Sequence, residues 1–310
     1  MTRFAASLLI CLMWAASGWA AGLTYRLEPK LIAPDTYVFE GAVEHFTLKN
    51  GGNILNTGFI VTEAGVIVIQ TGPSRRYGEE MRAAIARVTA KPVLKVFVSN
   101  QHPDYFLGSQ AFADVPIAAL QGTIEGIRAE GRAVTENMYR LIGDWMRGTD
   151  MVVPAEPVFA ASQVYGGHRL RLIPLSGHTR ADLAIYDETT RVLFAGGLVF
   201  SDRTPTTPHA DIPQWLNSLD ELAALDVAML VPNHGTIRPD NSAIAQTRDY
   251  LDWLTRTLNQ SADSGLDMTE VMALEIPAQF SALNVLREEF TRSVAHLYPK
   301  IEQSVLPKIN

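Results

Sequence analysis

Short apolar runs cut by glycine, proline and asparagine dominate the first half of the chain. Runs rich in Val, Ile or Phe at Thr36–Glu40, Asn56–Thr62, Val66–Gln70 and Val93–Ser99 predict four β-strands. β-Branched and aromatic residues bounded by turn formers suit a pleated, buried surface. Between the last two runs, Met81, Ile85 and Val88 recur at helical spacing, so Tyr77–Thr89 predicts a helix. The opening unit is therefore a hairpin followed by strand–helix–strand.

Gln121–Arg147 predicts a helical, lid-like segment, with Ile124, Ile127, Met138, Leu141, Ile142, Trp145 and Met146 as its apolar positions. A second set of strands is predicted at Arg169–Leu175, Leu183–Tyr186, Val192–Ala195 and Ala228–Val231, with a helix at Trp215–Leu225 before the last. The apolar stripe of that helix is the pattern of a core face. From Ser242 onward the pattern is mostly helical, strongest around Tyr250–Leu258, with another helix at Ala282–Leu297. Strands then helix, repeated, predict two similar halves packed face to face. The expected class is α/β, a four-layer αββα sandwich.

The N-terminus breaks this pattern. Arg3 precedes an apolar run from Ala5 to Ala16, and Gly18 and Ala20 then occupy the small-residue positions of a cleavage site. Residues 1–20 thus predict a secretory signal peptide, and the protein is expected to be periplasmic or secreted. The run is short for a membrane span, so no stable span is expected after cleavage. The expected organisation is one domain over residues 21–240, with a helical extension over 241–310 packed on it. Cys11, the single cysteine, falls in the signal segment. Disulfides and thiolate ligands are therefore excluded from the mature chain, and any metal must be held by His, Asp, Glu or another oxygen donor. The 310 residues are 47% hydrophobic, enough for a sizeable core. The net charge of −7 is spread without a basic stripe, which argues against nucleic acid as a partner.

Three polar clusters each follow a predicted strand: Ser99-Asn100-Gln101-His102-Pro103-Asp104-Tyr105, Ser176-Gly177-His178-Thr179, and Pro232-Asn233-His234-Gly235. Each alone fits an ordinary turn. Loops beyond strand C-termini converge on one rim in many α/β folds, so together they predict a site containing His102, Asp104, His178 and His234. These are ligand types that suit zinc or iron. The other reading of the same residues is a metal-free pocket in which they hydrogen-bond one another and Asn100. His45, His168 and His296 belong to no such cluster and are expected to be surface or satisfied residues.

With these clusters the chain resembles the metallo-β-lactamase-fold hydrolases from about Thr36 to about Gly235. Gly51-Gly52-Asn53, Gly58-Phe59-Ile60-Val61-Thr62 and Thr71-Gly72-Pro73 are similar to that family's opening strands. The resemblance is greatest to periplasmic quinoprotein relay system zinc metallohydrolases. It implies a two-metal hydrolase in which Asp104, His102 and His178 act at the reacting centre. The family's first motif is His-x-His-x-Asp-His, and Asn100 and Tyr105 stand at its outer histidines. Gly197 stands where the family has the metal-bridging Asp, and Gln70 where it has an Asp at a strand end. One expected ion keeps His102 and His178; the other keeps Asp104 and His234. Catalytic zinc normally has three protein ligands plus water. The expectation is zero or one zinc ion. A single ion between positions that lie ~4 Å apart could draw on all four remaining donors, and Asp202, His209 or Asp211 could swing in.

Two functions follow. The first is a hydrolase-like enzyme with at most one metal, acting on an ester, lactone, thioester or amide. The second is a non-catalytic accessory or binding protein of a quinoprotein or sulfur-metabolism system. It would bind a small molecule, or a periplasmic redox-protein partner, through the same cleft.

Overall fold

The computed structural model describes residues 22–305. The predicted signal segment and residues 306–310 of the helical tail lie outside them. The elements, in chain order, begin with strands β1 (Lys30–Ala33), β2 (Thr36–Phe39), β3 (Thr57–Val61) and β4 (Val66–Ile69). Helix α1 (Arg75–Val88), β5 (Val93–Phe97), the short α2 (Pro103–Phe106), β6 (Ile117–Leu120), α3 (Gln121–Ile142) and β7 (Glu156–Val158) complete the first half. The second half holds β8 (Ala161–Tyr165), β9 (His168–Leu175), β10 (Asp182–Asp187), β11 (Val192–Phe194), β12 (Phe200–Ser201) and α4 (Ile212–Ala223). It ends with β13 (Met229–Val231), β14 (His234–Gly235), α5 (Ser242–Asp263), α6 (Met268–Met272) and α7 (Leu286–Val305).

Strands β1 to β7 form one mixed sheet in chain order, antiparallel up to β4 and parallel beyond it. The second sheet has the order β13-β11-β10-β9-β8, with only β11 and β13 parallel. Side-chain alternation builds the layers. Ile67, Ile69 and Phe97 from the first sheet meet Leu170, Leu172, Leu183 and Ile185 from the second. Val66, Val68, Val96 and Val98 face the other way, under Tyr77, Met81 and Ile85 of α1 and Ile124 and Ile127 of α3. On the far side, Ile173, Leu175, Ala184 and Tyr186 lie under Trp215 and Leu219 of α4, Leu251 and Leu254 of α5, and Phe290 and Val294 of α7. Each large apolar side chain so buried contributes about 1.5–3 kcal/mol. That exceeds the spread of intrinsic backbone preferences, so the faces decide the elements. These three apolar cores between four layers make the expected αββα sandwich.

Strands β1, β6, β7 and β8 and the parallel pair β12–β14 were not anticipated from the pattern. Helix α7 starts later than expected and runs through Pro299 to Val305. None of the described helices is long and apolar enough to cross a membrane.

Candidate functional site

The loops after β5, β9, β11 and β13 meet at one end of the sandwich. The sheets are tied there, because the Leu183 amide of β10 donates to the Ser99 carbonyl beyond β5 (2.9 Å). Gln70, just past β4, takes a left-handed backbone (φ 65°) that side chains disfavour. Its buried side chain compensates: Nε2 donates to Ser99 Oγ (2.6 Å) and Oε1 accepts from Ser99 N (3.1 Å). Gln70 thus clamps the root of the His102 loop. His102 is the residue before α2, whose first turn holds Asp104 and Tyr105.

The His178 loop turns at Gly177 (φ 130°), where a Cβ would lie 2.2 Å from Trp215 Cα. Only glycine allows that approach, which sets the His178 ring 5.0 Å from the Trp215 ring. The turn is closed by Asp182, whose carboxylate accepts from Thr179 N (2.8 Å) and Thr179 Oγ1 (3.1 Å). His234 is fixed by the β12–β14 pairing. Its Nδ1–H donates to the Ile54 carbonyl (2.7 Å), so Nε2 is left facing Asp104 Oδ2 at 3.5 Å.

All four predicted residues line one cavity of about 480 Å³. His178 Nε2 lies 3.1 Å from His102 Nδ1. His102 Nε2 in turn lies 3.0 Å from His209 Nδ1, and His209 Nε2 reaches Glu130 of α3 at 3.8 Å. Burial lowers all three clustered imidazoles: His102, with help from His209 and Arg292; His178, with help from His102; and His234, with help from Arg203. They are neutral near pH 7, the form in which an imidazole accepts a hydrogen bond or a metal. Burial pushes the Asp104 carboxyl up to about 7, against the opposing pull of Arg203 and Arg292.

Of the three residues that could swing in, only His209 lines the cavity. Asp202 is held by Arg238 (2.6 Å), and Asp211 caps α4 by accepting from Gln214 N (3.1 Å). His45 was expected outside the site, yet it lines the cavity, 3.6 Å from Glu289 Oε1. His168 is satisfied, as expected, by Asp187 (2.7 Å).

The replaced positions form a network of their own. Asn100, fully buried, donates from Nδ2 to Asp182 Oδ1 (3.2 Å) and accepts at Oδ1 from His102 N (3.0 Å). The Tyr105 hydroxyl accepts from Asn233 Nδ2 (2.9 Å), which also approaches the Gly197 carbonyl (3.4 Å). A Cβ on Gly197 would lie 2.4 Å from Asn100 Nδ2, 2.6 Å from Asp182 Oδ1 and 2.6 Å from His178 Cδ2. A bridging carboxylate at Gly197 would therefore have to displace the side-chain ends of Asn100, Asp182 and His178. A two-zinc centre built in the family manner does not fit these residues. Two pairs of donor atoms remain, His102 with His178 and Asp104 with His234. The first pair is the better matched, since two nitrogens on one tetrahedral zinc lie about 3.3 Å apart.

The cavity wall also holds groups that sequence reasoning missed. Arg203, in the loop after β12, is buried and pairs with the buried Glu289 of α7 (3.3 Å). Thr206 Oγ1 donates to the same carboxylate oxygen (2.9 Å). These contacts join residues more than 80 apart in the chain, whereas the short Thr179-x-x-Asp182 spacing is a local signal only for the His178 turn.

A family model described as Metallo-beta-lactamase superfamily matches residues 50–234. The linear primary-alkylsulfatase of Pseudomonas sp. is 19% identical over 284 residues, covering 78% of this chain and 54% of its own length. The chain thus spans about half of that curated relative. A metallo-beta-lactamase from Pontibacter korlensis superposes with a TM-score of 0.61 at 20% identity, over 73% of this chain and 99% of its own. The metallo-beta-lactamase IND-7 superposes with a TM-score of 0.59 at 18% identity, over 74% of this chain and 100% of its own. At these identities the structural likeness is one of fold.

Proposed function

The chain belongs to the metallo-beta-lactamase superfamily, and from that premise we propose an exported, hydrolase-like protein whose cleft takes a small molecule and holds at most one divalent ion. The observation that carries this reading is the loss of donors at Asn100, Tyr105 and Gly197, the last of these crowded by Asn100, Asp182 and His178. His102 Nδ1 and His178 Nε2 would hold the single ion. When bound, such an ion supplies Lewis acidity and a more acidic water. His102 and His178 line the floor of the cleft beside Asp104, whose carboxyl would orient the polar group of the substrate. Esters, lactones, thioesters and amides are the substrate classes to screen. The alkylsulfatase likeness adds sulfate esters.

A second reading is a non-catalytic binding protein, kin to the periplasmic quinoprotein relay proteins, with a redox protein or a sulfur-metabolism component as partner. It is favoured by the mutual pairing of His178, His102 and His209, which engages both His102 nitrogens, His178 Nε2 and His209 Nδ1 without an ion. Metal analysis of the purified protein, before and after zinc reconstitution, tests both readings. About one zinc per chain, with hydrolysis lost in His178→Ala, supports the first. No retained metal and no turnover supports the second. Two tightly held ions per chain would overturn both.

A further inference from the structure

Helices α3 and α7 belong to opposite outer layers of the sandwich, and both reach the cleft. Their contributions differ in kind. Helix α3 presents Val134, Met138 and Leu141, and Phe46 extends this apolar wall. Helix α7 lies beyond the residues matched by the family and presents Glu288 and Arg292.

Arg292 is the one with donors to spare. Its side chain is 49% exposed, and its only ion-pair contact among the described residues is a loose 3.8 Å approach to Glu289 Oε1. That oxygen already accepts from Arg203 and Thr206. Arg203, by contrast, is spent on Glu289, Thr206 and the carbonyls of Glu44 and Thr204. The charge of Arg292 is felt on the cleft floor, where it adds to the lowering of His102 and opposes the rise of Asp104. A planar guanidinium fork with free N–H groups recognises carboxylate, sulfate or phosphate oxygens. An apolar wall beside one oriented charge is the lining that a chain with a polar head requires.

We propose that the cleft binds an amphiphilic monoanion, with its apolar chain along the α3 wall and its anionic head on the Arg292 guanidinium. The proposal rests on the reading of this cleft as a small-molecule site, and it names the ligand class and the residue that reads it. Glu288 shares the rim and weakens the attraction, so it sets the affinity without reversing the preference.

Calorimetric titration of the full chain with submicellar octyl sulfate, octanoate, octanol and inorganic sulfate tests this, on chelator-treated and zinc-loaded protein alike. Octyl sulfate or octanoate is expected to bind at least tenfold more tightly than octanol or sulfate, and the tighter of the two identifies the head group. Hexyl against octyl chains should differ by about fourfold per methylene. Arg292→Gln is expected to remove the preference over octanol while octanol binding persists. Arg292→Lys should restore part of it, and Glu288→Gln should tighten both anions. Circular dichroism checks that each variant is folded. Equal binding of octanol and the two anions, no effect of Arg292→Gln, or no binding of any amphiphile would overturn the proposal. The zinc count decides the function proposed above separately, because anion preference is read here without turnover.

Discussion

Strand β9 begins with one histidine and delivers another just past its end, and the two have opposite fates. Eight residues of strand put His168 and the His178 loop about 25 Å apart. His168 sits 2.7 Å from Asp187, whose carboxylate also accepts from Thr190 Oγ1 (2.6 Å) and Thr189 N (3.0 Å). The hydrogen bond to Asp187 raises the His168 imidazole against the opposing effect of burial. Burial pushes Asp187 up, but the hydrogen bonds from His168, Thr190 and Thr189 outweigh it and hold the carboxyl low. His178 has one ring partner, the His102 imidazole, with none at Nδ1 among the described residues, and burial drives it down. A histidine matched to a carboxylate closes a turn. Histidines matched to one another leave acceptor nitrogens that a guest or an ion can use.

Substitutions at the two ends break this contrast in graded steps. Glu289→Ala strands the Arg203 charge inside the cleft wall, and a loss of about 3–5 kcal/mol is expected in denaturant unfolding. A loss below about 1 kcal/mol would show that Arg203 finds water there. At the far end, His168→Gln removes a charge-assisted bond and should cost about 1.5–3 kcal/mol. That cost depends on pH. The raised His168 contributes fully below its unfolded value and loses its contribution as pH rises through its folded value. The lowered Asp187 contributes above its unfolded value and loses its contribution as pH falls through its folded value. The difference in melting temperature from the natural chain should therefore be largest between about pH 4 and about pH 6.5 and shrink in alkali. A difference constant from pH 5 to pH 9 would remove the ionic part of the argument.

Gly197→Ala crowds Asn100, Asp182 and His178 and should cost about 1–3 kcal/mol by thermal unfolding. Gly197→Asp alone should add no zinc binding, because Asp182 and Asn100 hold the space. The smallest effect is expected from Tyr105→Phe, about 0.5–1.5 kcal/mol for the bond from Asn233.

What the sequence made legible follows from where each signal lives. Strands β3, β4, β5, β9 and β10 were readable because Val, Ile and Leu runs end at turn formers. Strand β8 is an edge strand whose Ala161 and Val164 are exposed, so it carries no buried alternation to read. Strand β7 is Glu-Pro-Val, a poor strand on its own, tolerated at the edge of its sheet. Helix α7 continues past the predicted end at Leu297 and through Pro299, since packing of Tyr298 and its neighbours carries the helix on. The four site residues were visible because each follows a strand. The network that replaces the metal ligands was not. Tyr105 and Asn233 are 128 residues apart, Asn100 and Asp182 are 82 apart, and no local pattern encodes their meeting.

Trp215 gives the cleft an optical readout of its own. Its indole is sealed from solvent, donates to the Leu198 carbonyl at 2.8 Å and stands edge-on to the His178 ring. A guest that draws on the His178 lone pair changes the electronic surroundings of that fluorophore without touching it. Tryptophan emission then reports occupancy directly, and replacing Trp14, Trp19, Trp145 and Trp253 with phenylalanine isolates the signal.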